Sequence, residues 1–204
     1  HALEIKTYTP DAYAENKLWF PADPAWGNYE YALIDAKLYQ FAVNSVVMLP
    51  LALALYIGVC SAAGFAFGHL RFRWKLPFFT LVLFLMIFPQ MMLSVPVFRI
   101  VAGMGLLDTR IGGILVWVAY FSPYGTYIMS TFFSTVPRSL YESAKIDGAG
   151  IGQVLRHIMI PVATPMVATI TMLGFQGMWN ELPFSLLILR SEAKRTLTLG
   201  IAMM

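Results

Sequence analysis

ESAKIDGAGIGQVLRHIMIP, residues Glu142–Pro161, lies between two long apolar stretches yet carries two acids, a lysine, an arginine, a histidine and three glycines. Pro137 and Ser139 open the segment, and Ser139 stands three residues before Glu142, the spacing of a capping box. A short helix is predicted from about Leu140 to Ile146. Asp147-Gly148 then reads as a stop and a turn, because glycine tolerates the left-handed conformation that closes a helix and Asp can cap the next one. Beyond the bend Ile151, Val154, Leu155 and Ile158 recur at i, i+3, i+4 and i+7, one apolar face, with Gln153, Arg156 and His157 opposite. Ser143, Ala144, Gly148, Ala149, Gly150 and Gly152 keep the hinge lean. Periodicity leaves two readings open. The hairpin either rests its apolar face on a membrane or on its own bundle, or offers a thin knuckle for another protein to grip.

The surroundings place this hinge in a membrane protein. Of 204 residues 58% are hydrophobic and 12% charged, and the mean hydropathy is +0.66, outside the range of an ordinary soluble domain. Residues 41–68 carry no charge and exceed the roughly 20 residues that cross a bilayer core. A second span is predicted over 76–98, bent or broken by Pro77, Pro89 and Pro96, where the ring and the missing N–H disturb the helical ladder. A third covers 111–133, with a kink at Pro123. A fourth runs from Pro161 to Leu189, uncharged except for Glu181. The expected fold is an all-α membrane protein, a polytopic bundle of four transmembrane helices. Residues 1–40 form a turn-rich aromatic and acidic segment outside the membrane. It ends in a short amphipathic helix with Tyr31, Ile34, Leu38 and Phe41 on one face, lying at the interface as an aromatic belt. Residues 41–204 form the transmembrane domain, including the loop 134–160. A start at His1, without a signal peptide ahead of a polar tail, is expected of a fragment.

Four spans put HLRFRWK (69–75) and the loop 134–160 at one end, and the tail, residues 99–110 and residues 190–204 at the other. Lys and Arg number six at the first end and eight at the second, so a raw count does not orient the chain. Density does better: three cations within HLRFRWK make the first end cytoplasmic. The cations at the second end stand as an exception.

Chemistry is hard to find. No GxxxxGK[ST], HExxH or Cys/His metal spacing occurs; His1, His69 and His157 are far apart, and Cys60 is a single packing residue without a disulfide partner. Cations scattered through short loops give nucleic-acid binding little support. Met86, Met91, Met92 and Met172 are adaptable filler rather than metal ligands. The intramembrane polar residues are Asn44, Gln90, Gln176, Asn180 and Glu181. Intramembrane acids commonly face a bundle or a water-filled path, which makes Asn180 and Glu181 candidates for a translocation path. Glu181, about 30 Å along an ideal helix from Pro161, fits equally a solvated position near the outer surface. Trp179 reads as an interface anchor, a stacking surface for a sugar ring, or packing.

ES-A-xx-DGA followed by L-R-x-I-x-I-P resembles the EAA loop of ABC importer permeases, matching at Glu142, Ala144, Asp147, Gly148, Ala149, Leu155, Ile158, Ile160 and Pro161, with Ser143 in place of the second-position Ala. From about residue 18 onward FPADPAWGNYEYAL, FAVNSV, SAAGFAFGHLRF, MIFPQMMLSVPVFRIVAGMGLLDTRIGGIL and MWNEL resemble the carbohydrate-importing branch related to the second maltose permease subunit. The resemblance implies a type I ABC importer permease of six spans, of which four lie here. It implies a cytoplasmic coupling helix at about Leu140–Ala149, with Glu142, Ser143, Ala144, Asp147, Gly148, Ala149 and Pro161 serving the ATPase contact. Glu142 would pair with a basic residue of the ATPase or hold the loop by capping. It further implies a bacterial-type plasma membrane, a second permease subunit, a cytoplasmic ATPase dimer that binds ATP and Mg, an extracytoplasmic solute-binding protein, and surrounding lipid. This chain itself would carry no catalytic residue, cofactor or metal. The solute would be a sugar or sugar-like compound. The alternatives are an ABC permease for another solute, such as an amino acid or polyol phosphate, and a membrane scaffold that binds no ATPase.

Overall fold

The computed structural model describes Leu33, Ile34 and residues 36–203. The aromatic segment expected over 1–40, with Tyr31 of its amphipathic face, lies outside the described residues except at its last few positions. The chain divides into two units, 1–37 and 38–204, and all the helices numbered here belong to the second. They are α1 (Leu38–His69), α2 (Lys75–Leu85), α3 (Gln90–Gly103), α4 (Arg110–Thr135), α5 (Arg138–Ile146), α6 (Ile151–Val154), α7 (Ile160–Val162), α8 (Thr164–Trp179), α9 (Pro183–Ile188) and α10 (Leu197–Ala202). A π-helical turn, Leu155–Met159, joins α6 to α7, and a 3₁₀ turn, Glu192–Lys194, precedes α10. The described residues are all-helical, as expected.

The centre is α1 packed along α4, the most extensive helix pair. Small residues bring the backbones together: a Cβ on Gly64 would overlap Met129, one on Gly68 would sit 2.6 Å from the Ser130 carbonyl oxygen, and one on Gly125 would strike Tyr56. Gly64 and Gly68 form the small-xxx-small spacing that membrane helices use for close approach. The matched positions rise together, Met48 with Gly113 and Gly68 with Phe133, so α1 and α4 are parallel. α8 runs against them: Ile151 shares a groove with His69–Phe72, Gly174 meets Tyr56, and Asn44 bonds to Ala193 and Arg195. Tyr56, Cys60, Phe65, Trp117, Met129, Phe133, Ile170 and Met178 fill the buried seam. Outside it Val43, Val47, Leu51, Leu55 and Val59 form an exposed apolar stripe along α1, apolar on both faces as a lipid-embedded helix is.

The two proline-bearing spans depart from single helices in different ways. At Pro89 the missing N–H and the restriction on Phe88 end α2 at Leu85 and restart the chain at Gln90, with a bend of 110°. Pro77, in the first turn of α2, and Pro96, inside α3, break nothing. The span expected from Pro161 to Leu189 is not one helix. It bends by 83° between Ile151–Val162 and Thr164–Trp179, at Ala163, and then ends at Trp179. Pro165 cannot donate to the Pro161 carbonyl, and Thr164 Oγ1 supplies that hydrogen bond at 2.7 Å, so the corner leaves no orphan acceptor.

By length and composition α1 alone is long and apolar enough to cross a membrane, and the count among the described residues rises to three if each bent pair is one span. α4 has 26 residues but is diluted by Gly, Ser, Thr and Tyr, and does not reach that mark. The four spans expected from charge-free stretches are thus reduced to one clear span and two bent pairs, because absence of charge is a weaker criterion than sustained hydropathy.

Candidate functional site

The hinge predicted at Asp147-Gly148 is present. α5 ends with Asp147 as its C-cap and Gly148 at φ +82°. The Ala149 N–H donates to Ala144 O at 2.9 Å and the Gly148 N–H to Lys145 O at 3.1 Å, the paired bonds of a Schellman motif. Asp147 does not cap the following helix as expected. Gly150 takes the N-cap position, and its N–H donates to Gln153 Oε1 at 2.7 Å. Nor do Ser139 and Glu142 form a capping box. Pro137, at φ −56° and ψ 132°, is the N-cap and starts α5 two residues earlier than that box requires. Ser139 is therefore inside the first turn, and its carbonyl accepts from Ser143 Oγ at 2.7 Å.

Only one side of α5 is anchored. Ala144 is buried, and the Tyr141 ring packs 5.3 Å from His69 and 6.2 Å from Phe65. Glu142, Ser143, Asp147 and Gly148 are exposed, Ala149 is half-buried, and Ile146 at the tip of the helix is 86% exposed. A Cβ on Gly148 would meet nothing within 4 Å. Glu142 takes part in no hydrogen bond or ion pair among the described residues. Tyr141 escaped the sequence reading; its i, i+3 spacing with Ala144 was the available signal.

The second short helix differs from its periodicity. Ile151 is exposed, Val154 and Met159 are fully buried, and Ile158 is only half-buried. The cause is the π turn: the Ile160 N–H donates to Leu155 O, a five-residue step that moves the inward face from the i+4 position to i+5. Pro161, exposed at the start of α7, has no N–H for the carbonyl of His157, and its ring crowds that carbonyl, which opens the turn there.

The intramembrane candidates separate. Asn180 is exposed, caps α8, and donates from Nδ2 to Gln176 O at 2.8 Å. Glu181 is 4% exposed, which removes the solvated alternative. Its Oε1 accepts from Gln90 Nε2 and the Phe184 N–H, both at 2.7 Å. Its Oε2 accepts from Trp117 Nε1 at 3.0 Å, the Ser185 N–H at 2.9 Å and Ser185 Oγ at 2.6 Å. One carboxylate thus joins the start of α3 after the Pro89 break, the middle of α4, and the first turn of α9 after the Asn180 break. Trp179 stacks on Phe175 at 5.7 Å and its carbonyl accepts from Thr198 Oγ1, so it serves packing.

At the end away from α5 Arg110, Lys194 and Arg190 are held by neighbouring groups. Arg110 donates to Asn44 Oδ1 at 2.8 Å, and Asn44 Nδ2 donates to the Ala193 and Arg195 carbonyls. Lys194 donates to the Asp108 carbonyl and pairs with Oδ2 at 3.1 Å. Arg190 lies 5.1 Å over the Phe98 ring. Asp108 Oδ1 and Oδ2 also accept from the Ser191 N–H and Oγ; these bonds, with Lys194, hold its carboxyl down at about 2. Arg110 thus ties α4 to α1, and Lys194 with Ser191 ties the loop after α9 to the loop before α4, while Arg195 Nε is buried without a partner. No group of three or more His, Cys, Asp or Glu able to hold a metal occurs among the described residues.

The family profile described as binding-protein-dependent transport system inner membrane component matches residues 54–203. The chain is 31% identical over 175 residues to a diacetylchitobiose uptake system permease protein of Streptomyces coelicolor, covering 86% of this chain and 58% of that protein. It is 32% identical over 183 residues to a sulfoquinovosyl glycerol transport system permease protein of Agrobacterium fabrum, covering 90% and 64%. It therefore spans about three-fifths of the length of these curated relatives. A chain from the crystal structure of a bacterial ABC transporter involved in the import of the acidic polysaccharide alginate superposes with a TM-score of 0.76 at 27% identity, over 90% of this chain and 63% of that one.

Proposed function

This chain belongs to the family of binding-protein-dependent transport system inner membrane components, and from that premise we propose that it is permease sequence of an ATP-driven importer for a sugar or sugar-like solute. It works beside a second permease subunit, a cytoplasmic ATPase dimer that binds ATP and Mg, and an extracytoplasmic solute-binding protein. The relatives support the solute class: uptake permeases for diacetylchitobiose, sulfoquinovosyl glycerol and melibiose/raffinose/stachyose are among them. An uptake permease for osmoprotective compounds is too.

The observation that carries this reading is the knuckle. α5 is fastened to the end of α1 on one side through Tyr141, with Ala144 buried beside it, and leaves Glu142, Ile146 and the left-handed Gly148 bare on the other. An exposed isoleucine on a rigidly based short helix is a contact surface for a partner. ATPase closure pressed on Ile146 and Gly148 passes through Tyr141 to α1 and through the hinge to α6, α7 and α8. In this assignment Glu142, Ser143, Asp147, Gly148 and Ala149 shape the contact, while Pro161 shapes the π turn behind it. The α2–α3 and α6–α8 pairs each make one crossing, giving four with α1 and α4. Asn180 and Glu181 stand where the path passes the break in the last of them.

The test is co-purification of the ATPase with the permease in its full complex. Gly148→Arg points a long side chain outward into open space and forces a non-glycine residue to φ +82°, a local cost of about 1–2 kcal/mol. It is expected to leave the bundle folded by thermal unfolding in detergent, while ATPase capture and solute-stimulated uptake fall at least tenfold. Unchanged uptake in Gly148→Arg would sink the docking assignment.

A further inference from the structure

At the α5 end the cations are arranged differently from those at the other end. Arg71 and Arg138 have no hydrogen-bonded or ionic partner among the described residues. Arg73 lies only over the Trp74 ring at 5.7 Å, and Lys75 donates to the Leu70 carbonyl at 3.3 Å. Arg71, Phe72, Arg73 and Trp74 are all exposed, Trp74 by 58%. Between this turn and α5 runs a groove of about 490 Å³ lined by His69, Arg71, Phe72, Arg138, Tyr141 and Glu142, among others. His69 is 6% exposed, with Nδ1 facing the Phe133 carbonyl at 3.3 Å and Nε2 buried without a partner. With Nδ1–H given to the Phe133 carbonyl, neutral His69 leaves Nε2 as an unmet acceptor in the groove wall, which a headgroup hydroxyl can meet.

We propose that this groove holds the phosphate headgroup of an anionic phospholipid, gripped by Arg71 from the α1–α2 turn and Arg138 from the start of α5. The inference rests on the membrane reading above, which puts the turn at the bilayer boundary, where cations beside a span attract anionic lipid. The two arginines come from different elements, so a shared phosphate bridges them, and guanidinium forks suit phosphate oxygens. Phe72 and Trp74 supply the amphipathic surface that an acyl chain and glycerol backbone meet at the interface. Glu142, in the same groove, opposes the anion and sets its affinity. A lipid bound here braces the base of the knuckle against α1 and so conditions how α5 meets its partner.

The experiment is native mass spectrometry of the chain in detergent, titrated with dihexanoyl-phosphatidylglycerol, with dihexanoyl-phosphatidylcholine or with inorganic phosphate. One phosphatidylglycerol per chain should be retained in preference to phosphatidylcholine. The Arg71→Gln/Arg138→Gln variant should weaken retention roughly tenfold or more, Glu142→Gln should strengthen it, and Arg156→Gln, outside the groove, should leave it alone. Equal retention of phosphatidylcholine, or no change in the double glutamine variant, overturns the proposal. Displacement by inorganic phosphate at equal concentration overturns the lipid source in favour of a free-phosphate site. If the double glutamine variant does not fold, Arg71→Lys/Arg138→Lys keeps the charge and must keep phosphatidylglycerol, and Glu142→Gln must still tighten it; failure of either is fatal. Because the titration uses the permease chain alone, a negative result leaves the ATPase assignment standing, and loss of ATPase capture leaves the lipid result standing.

Discussion

Glu181 shows how much one residue can organise. Five donors converge on a carboxylate that is 4% exposed, and removing it strands the buried Phe184 and Ser185 N–H groups and the half-buried Gln90 Nε2, and leaves Trp117 Nε1 only its longer bond to Ser185 Oγ at 3.3 Å. Each unmet donor costs about 1–3 kcal/mol. Glu181→Ala is expected to destabilise the bundle by about 3 kcal/mol or more, read as a large fall in the midpoint of unfolding in detergent. Glu181→Gln, of the same shape but with one acceptor turned into a donor, should cost less. Asp108 makes a different prediction. Its carboxyl is held at about 2 against an ordinary 3.8, so its contribution is fully present above about pH 4 and is lost as pH falls through about 2. Asp108→Asn keeps a residue that tolerates the φ of +53°. It should be less stable than wild type at pH 6, and the difference should shrink as pH falls from about 4 and vanish below about pH 2. Both residues were visible as polar letters, but what they touch was not. Gln90 and Trp117 lie 91 and 64 positions from Glu181 in sequence, and no local pattern links them.

At the scale of elements, prolines and glycines decide the outcome. The Pro89 break and the Gly148 hinge were legible because each follows from the residue's own backbone constraint. The π turn and the corner at Ala163 were not, since they arise from Pro161 and Pro165 acting on carbonyls four residues back while the apolar pattern runs on undisturbed. The same limit explains the missing capping box at Ser139: the spacing was right, but Pro137 set the helix start and spacing alone cannot see that. The contact between α1 and α4 rests on Gly64 and Gly68. Gly64→Val would drive methyl groups into Met129 and the Met129–Ser130 backbone, neither of which can retreat within a packed pair. A loss of about 1–3 kcal/mol or more is expected, measured as a lowered unfolding midpoint. Gly58→Val, where a Cβ meets nothing within 4 Å, is the control and should be close to neutral.

The whole molecule has two ends with opposite uses of charge. One uses Arg110 and Lys194 as internal tethers, to Asn44 and Asp108; the other leaves Arg71 and Arg138 open beside the knuckle. Counting Lys and Arg could not separate these roles, which is why the positive-inside argument stalled on numbers. The four-pass assignment makes a direct prediction: in intact cells Ser191→Cys should react with a membrane-impermeant maleimide added outside, and Arg73→Cys only after the membrane is opened. Labelling of both from the same side would refute it.

The parallel course of α1 and α4 carries a consequence in time. Their contacts join positions such as Asn44 and Arg110, 66 residues apart, and at a synthesis rate of about 5–20 residues per second the second helix is finished roughly 3–13 s after the first. For those seconds Gly64 and Gly68 of α1 are uncovered, while α2 and α3 are being made. The glycine face that later makes the tightest seam is therefore open to any passing small-residue helix. A chaperone or an early lipid neighbour for α1 would be needed only during that interval, and would leave no trace in the finished bundle.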